Sequence, residues 1–358
     1  VLVNGLPQRR ELPQISGLFH DAGYDVAWVG NRRGDQPPIP DRADGRFHLP
    51  FVEGEPGLGV HKDGPVVDAA IEFLQRRRQI PFLLTVPLMN PHDICYWVMD
   101  KAPGVADATS ELPPLPPNFE PVQPEPEFIA RCRQRTHYGQ ENTCTSTWDE
   151  HRWRRYLREY YALTERVDGQ IGRLLSALRD AGLEQDTLIL HTADHGEGMA
   201  AHRWVVKLMF WENVVGVPLS LSWPGMIPAG TRRAQLATGM DVLPTLCDYA
   251  GIAAPPEITG ESLRQTIDND TGGRDYIVIQ LHPDTQELGL AARIVVSQQY
   301  KYIAFSTGAQ REMLFARATD PGEMCDLSTA PGAADVLLRH REHLAEWLAE
   351  TGDPFGAQ

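Results

Sequence analysis

The sequence predicts an α/β fold: a large mixed, mainly parallel sheet flanked by helices, then a small C-terminal antiparallel sheet with a helix packed on it. Three observations carry this expectation. Three times before Gly196 an amphipathic helical stretch runs into a short apolar segment of strand length, the pattern of helices crossing over between parallel strands. After Asn269 the character changes to short strand-length runs joined by turn residues. With 358 residues and 42% hydrophobic content, the chain is long enough to bury one large core or two unequal ones.

The first unit places Leu12, Ile15, Leu18 and Phe19 at helical spacing, ends the helix at Gly23 and continues as a strand over residues 24–29. The second begins near Pro65, where Val67, Ala70, Ile71 and Leu74 form an apolar stripe before a buried-strand run at 82–86. From residue 94 to 150 the periodicity disappears. The run Leu112-Pro113-Pro114-Leu115-Pro116-Pro117 removes amide donors and fixes φ, so this segment is expected to be a long ordered surface excursion without regular structure. The third unit is a long helix with Trp153, Tyr156, Leu157, Tyr160, Val167, Ile171, Leu174, Leu175 and Leu178 on one face and Gly182 at its end, followed by a strand at 187–191. Residues 1–268 are thus expected to form one domain. Residues 269–358 form the second, with strands at 276–280, 292–297, 300–305 and 312–316 and a closing helix striped by Val336, Leu337, His340, Leu344, Trp347 and Leu348.

The formal net charge of -15 argues against a broad nucleic-acid or anionic-membrane surface, and leaves room for a small anionic substrate only in a locally positive pocket. No apolar run approaches the roughly 18 residues that span a bilayer, so no membrane insertion is expected. Cys95, Cys132, Cys144, Cys247 and Cys325 are widely spread and form no C-x-x-C pair; they are expected to be incidental thiols, with a Cys132 to Cys144 loop disulfide left open. The chain starts at Val1 without a leader pattern, so a signal peptide is expected only upstream of it.

Each predicted strand runs into a polar loop: Gly30-Asn31-Arg32-Arg33-Gly34-Asp35, then Asn90-Pro91-His92-Asp93, then Asp194-His195-Gly196-Glu197-Gly198. Parallel strands would bring these loops to one sheet edge. A carboxylate beside an imidazole, followed by glycines that let the backbone turn, suits a divalent cation that organises an anionic substrate. His202 and Lys207 add two cation-capable groups downstream. Taken alone, Asp194-His195-Gly196 is equally a turn, and His92 is equally a turn cap.

Taken together, Thr192-Ala193-Asp194-His195-Gly196-Glu197-Gly198, His202, Lys207, Trp211-Glu212 and Val217-Pro218-Leu219 resemble the sulfatase family of the alkaline phosphatase superfamily in spacing and order. Residues 18–30, 82–92, 160–178, 241–246, 260–263, 301–303 and 320–327 agree in the same order, so the resemblance covers nearly the whole chain. It implies an alkaline phosphatase-like fold, a periplasmic or secreted location, and hydrolysis of sulfate esters by a formylglycine hydrate, made from Cys or Ser, on sulfate bound at calcium. It also implies that Asp194 and His195 are metal ligands, with His195 bringing manganese forward beside calcium. Lys207 and His92 would hold the sulfate and assist departure of the leaving oxygen, and His202 would line the same pocket.

Two departures qualify the resemblance. The formylglycine motif and the paired aspartates that complete the metal site do not occur in this sequence, and in the family both precede the region matching residues 12–30. A chain lacking its amino-terminal segment, and inactive as it stands, is therefore expected. Where the family commonly has Gly-Lys-x-His-x-Gly, this chain has Gly30-Asn31-Arg32-Arg33-Gly34. Asn31 and Arg33 become substrate-binding candidates, and Arg33 can clamp an anion but cannot serve as a base. Two alternatives stay open: a phosphodiesterase or phosphonate monoester hydrolase on the same scaffold, and a member that binds sulfated glycans without turnover.

Overall fold

The computed structural model describes residues 14–30, 47–48, 58–107, 109, 111–134, 145–283, 287 and 289–356. In chain order these form α1 (Ile15–Asp21), β1 (Asp25–Trp28), β2 (Phe47–His48), α2 (Gly59–Leu74), β3 (Phe82–Thr85), α3 (Ile94–Val98), α4 (Glu127–Gln134), α5 (Glu150–Asp180), β4 (Ile189–Thr192), α6 (Glu212–Val215), β5 (Leu219–Ser222), α7 (Val242–Ala250), α8 (Arg264–Asn269), β6 (Tyr276–Leu281), β7 (Ala292–Ser297), β8 (Tyr300–Phe305), β9 (Glu312–Ala316) and α9 (Ala334–Thr351).

The first two helix-strand units fold as expected. Strands β2, β1 and β3 lie side by side in that order, all parallel, with Asp25 opposite Phe82 and Trp28 opposite Thr85. Helix α2 makes the crossover that parallel strands require, and buries Val66, Ala70 and Phe73 against Ala27, Val29, Leu84 and Val86. It starts at Gly59, so Pro65 sits inside the helix rather than at its head. The reason is a cap supplied from outside the helix: Asp93 accepts the amides of Gly59 and Val60 at 2.8 and 2.9 Å. Helix α5 has a local cap instead, Asp149 accepting the Arg152 amide at 2.8 Å.

Strand β4 departs from the expected parallel sheet. Among the described residues it pairs only with β5, antiparallel, with Ile189 opposite Ser222 and Thr192 opposite Leu219. In β5, Leu219 and Leu221 are half-buried while Ser220 and Ser222 are exposed, the one-sided alternation of an antiparallel strand. The excursion also departs from expectation, because it carries α3 and α4. Phe128, Ile129 and Cys132 of α4 are buried against the C-terminal sheet, so tertiary burial supports a helix too short to stand alone.

Strands β6, β7, β8 and β9 form an antiparallel meander. Successive side chains alternate between two covered faces. Ile294, Val296, Ile303, Phe305, Met313 and Phe315 meet Phe128, Trp204, Phe210 and Trp211, while Val295, Tyr302 and Leu314 meet Leu337 and Leu344 of α9. The buried Lys301 ammonium lies 2.7 Å from Glu323 and 3.2 Å from Glu212, tying β8 to α6. No helix among the described residues is long and apolar enough to cross a membrane.

Candidate functional site

The loop after β4 is fastened by its backbone. Gly196 and Glu197 donate their amides to the carbonyls of Val214 and Asn213 at 2.7 and 2.9 Å. Both glycines are required by close approach: a Cβ on Gly196 would stand 2.0 Å from the Asn213 oxygen, and one on Gly198 would stand 2.5 Å from the Trp204 oxygen. The loop presents two donor groups side by side. Asp194 is 87% exposed, and one carboxylate oxygen lies 3.5 Å from His195 Nε2. His195 Nδ1 lies 2.8 Å from the Gly196 carbonyl oxygen, so Nδ1 carries the proton and donates, leaving Nε2 as a lone pair. A solvent-facing carboxylate next to an imidazole in this tautomer fits two positions of a divalent cation's donor set. No third His, Cys, Asp or Glu joins them among the described residues.

Behind this pair sits a buried carboxylate that sequence reasoning missed. Glu197 accepts hydrogen bonds from the Tyr156 hydroxyl and the Val206 amide, and Gly198 donates to the Val206 carbonyl at 2.9 Å. The Asp194–Gly198 loop is thereby tied to the segment that ends in the half-buried Lys207. Burial pushes the Glu197 carboxyl up to about 7, with the Tyr156, Val206 and Lys207 interactions opposing the rise. Burial, and next the Glu197 charge, hold the Tyr156 phenol well above its ordinary value. The available signal was an acid directly after Asp194-His195-Gly196, with a tyrosine on the apolar face of α5.

Between Met199 and Leu208 the backbone is held in the left-handed region at six non-glycine residues: Met199, Ala200, His202, Arg203, Val206 and Leu208, with φ from 52° to 72°. Such conformations persist only where surrounding contacts over-determine them. Here the contacts are those of Glu197 and of His202. The His202 ring is fully buried, stacked on Trp211 at 3.7 Å between centroids. Its amide donates to the Asn118 carbonyl at 2.7 Å, and its carbonyl accepts from Arg133 at 2.5 Å. Burial lowers its pKa to about 4, so it is neutral at pH 7. Expected to line the pocket, His202 is placed as a packing residue that joins the excursion to Trp211, with no solvent-facing surface.

His92 occupies the turn after β3, half-buried, its amide bonded to the Met89 carbonyl at 3.0 Å and its ring 5.8 Å from that of Tyr96. This turn is locked to the start of α2. Asp93 holds the Gly59 and Val60 amides, and Asp63 accepts the amides of Met89 and Asn90 at 2.8 and 3.0 Å. Val60, Ile94, Cys95 and Tyr96 share one core cluster with Tyr156, Ala200, Val205 and Val206. The His92 turn, the start of α2 and the Lys207 segment therefore converge. Asn31 and Arg33 lie outside the described residues, as does Cys144; at Gly30, the last described residue before them, a Cβ would stand 2.9 Å from Pro87.

The sulfatase family pattern matches residues 4–252, and that of the N-sulphoglucosamine sulphohydrolase C-terminal region matches residues 200–350. A Δ4,5-hexuronate-2-O-sulfatase of Bacteroides thetaiotaomicron is 28% identical over 96% of this chain and 73% of its own length. Arylsulfatase K of Mus musculus is 30% identical over 52% of this chain, a match that spans only 35% of that relative. The solved structure of a 2-O GAG sulfatase superposes with a TM-score of 0.81 at 27% identity, covering 97% of this chain and 76% of the other.

Proposed function

This chain belongs to the sulfatase family, hydrolases of sulfate esters, and we propose that its substrate is a sulfated sugar bearing the ester at the 2-position of an unsaturated uronate. The observation that carries the chemistry is the single rigid unit in which Glu197 ties the Asp194–His195 pair to Lys207. The choice of sugar follows the relative that matches along 96% of the chain.

The family implies a divalent metal, and Asp194 and His195 would be two of its ligands, with calcium or manganese supplying positive charge to the sulfate oxygens. The family's formylglycine belongs to a motif that residues 1–358 do not contain. Lys207 is the fixed charge that holds a sulfate oxygen as negative charge builds. His92, in the turn after β3, is the general acid that delivers a proton to the departing sugar oxygen. Arg33 and Asn31 are assigned to the substrate's anionic groups. The test is linkage preference in the protein that carries this chain. Sulfate release is expected from an unsaturated uronate 2-O-sulfate disaccharide and not from N-acetylglucosamine 6-O-sulfate; the reverse preference contradicts the assignment of the sugar.

A further inference from the structure

One cation beside this site has no role in the family resemblance and no partner among the described residues. Lys62 is 8% exposed, and its Nζ has no hydrogen-bond partner among the described residues. A buried ammonium without an anion is unfavourable, so its presence calls for an explanation.

The geometry of α2 says where this ammonium sits. The C-terminal end of the helix packs at the start of β3, Phe73 against Phe82 at 5.9 Å, and its first turn is fastened to the 89–93 turn beyond the end of that strand. The helix therefore runs antiparallel to the strands. Lys62 continues the stripe of Val66, Ala70 and Phe73 that faces the sheet, but one turn nearer the helix start. That places it past the carboxyl ends of β1 and β3, beside the His92 turn. The neighbouring carboxylates are already engaged: Asp63 holds the Met89 and Asn90 amides, and Asp93 holds those of Gly59 and Val60. At the same corner the Asn90 side-chain oxygen is also buried without a partner. A donor in the first turns of α2 and an acceptor in the turn fastened to them are thus both buried and unmatched among the described residues.

We propose that Lys62 is a substrate-binding residue whose ammonium receives an oxyanion oxygen of the sulfated sugar, either of the ester sulfate or of the uronate carboxylate. This rests on the proposed substrate class, and it goes beyond it by naming a cation on α2 that works beside Lys207.

The test compares Lys62→Met and Lys62→Arg in the protein that carries this chain. Lys62→Met should raise KM for the 2-O-sulfated uronate disaccharide about tenfold or more. Its thermal midpoint should stay equal or rise, because an unpaired buried charge has gone, and Lys62→Arg should recover part of the affinity. Inorganic sulfate separates the two oxyanions. If its inhibition weakens in Lys62→Met, the ester sulfate is the partner; if inhibition is unchanged while discrimination against a neutral sugar sulfate is lost, the carboxylate is. Unchanged KM and unchanged sulfate inhibition would overturn the proposal. If Lys62→Met does not fold, Lys62→Gln carries the comparison, and failure of both neutral variants to fold would also overturn it by making Lys62 structural. Sulfate-induced thermal stabilisation that disappears in Lys62→Met, in a protein that cleaves no sulfate ester, would keep the anion site while sinking the hydrolase reading.

Discussion

The C-terminal meander and the site-bearing sheets are held together by different means. In the meander all but the last residue of β7 and all but the first of β8 are buried, and both faces are covered by apolar side chains. In the other sheets β3 is half-buried along its length, and β4 exposes His191 and Thr192. There apolar packing of β1 under α2 is joined by carboxylates that hold backbone amides: Asp63, Asp93 and Glu197. The difference shows how chemistry is kept on the surface of a stable protein. Apolar packing fixes the scaffold, while buried acids fix the turns and leave Asp194 exposed and His195 and Lys207 half-buried.

The comparison can be broken first in the meander. Phe315 is fully buried where the sheet meets Trp211, and Phe315→Ala should cost about 3–5 kcal/mol of stability in denaturant unfolding, with KM unchanged in the folded fraction. A stability loss below about 1 kcal/mol would show that this face is not the scaffold it is taken to be. The opposite split is expected at the site. Lys207→Ala should lower kcat about 10² to 10³-fold while leaving the unfolding midpoint within about 0.5 kcal/mol of wild type. Equal losses of turnover and stability would make Lys207 structural.

His202 joins the two regions, and its acid response sharpens the contrast. Its folded pKa of about 4 lies below the ordinary 6.5, so its contribution to stability is fully present above pH 6.5 and is lost as pH falls toward 4. The loss reaches at most about 3 kcal/mol. His202→Phe, which keeps the stack on Trp211, should flatten this part of the pH dependence of unfolding. An identical acid profile in the variant would mean that another group sets it.

The meander was legible from sequence almost residue for residue, β7, β8 and β9 falling at the expected limits, because strands covered on both faces leave short, largely apolar runs bounded by turn residues. The long helix was legible for the same kind of reason. What escaped is non-local. Asp93 caps α2 from 34 positions away, which no local pattern around Pro65 announces. Strand β5 is four residues of Leu-Ser alternation, too short to stand out, and α4 owes its shape to a sheet that follows it by well over a hundred residues. At the site, Asp194 and His195 stood out as a motif, whereas Glu197 and Lys62 gain their meaning only from burial. His202 stood out as a member of the constellation, whereas its burial and its stacking on Trp211 are tertiary facts.

The most direct test of the central claim is the identity of the anion released. The protein that carries this chain, supplied with calcium or manganese, should liberate inorganic sulfate in step with desulfated sugar from the 2-O-sulfated uronate disaccharide, and should cleave neither a phosphodiester nor a phosphonate monoester at a comparable rate. Release of the phosphorus-containing product with no sulfate, or tight binding of the sulfated sugar with no turnover, would contradict it.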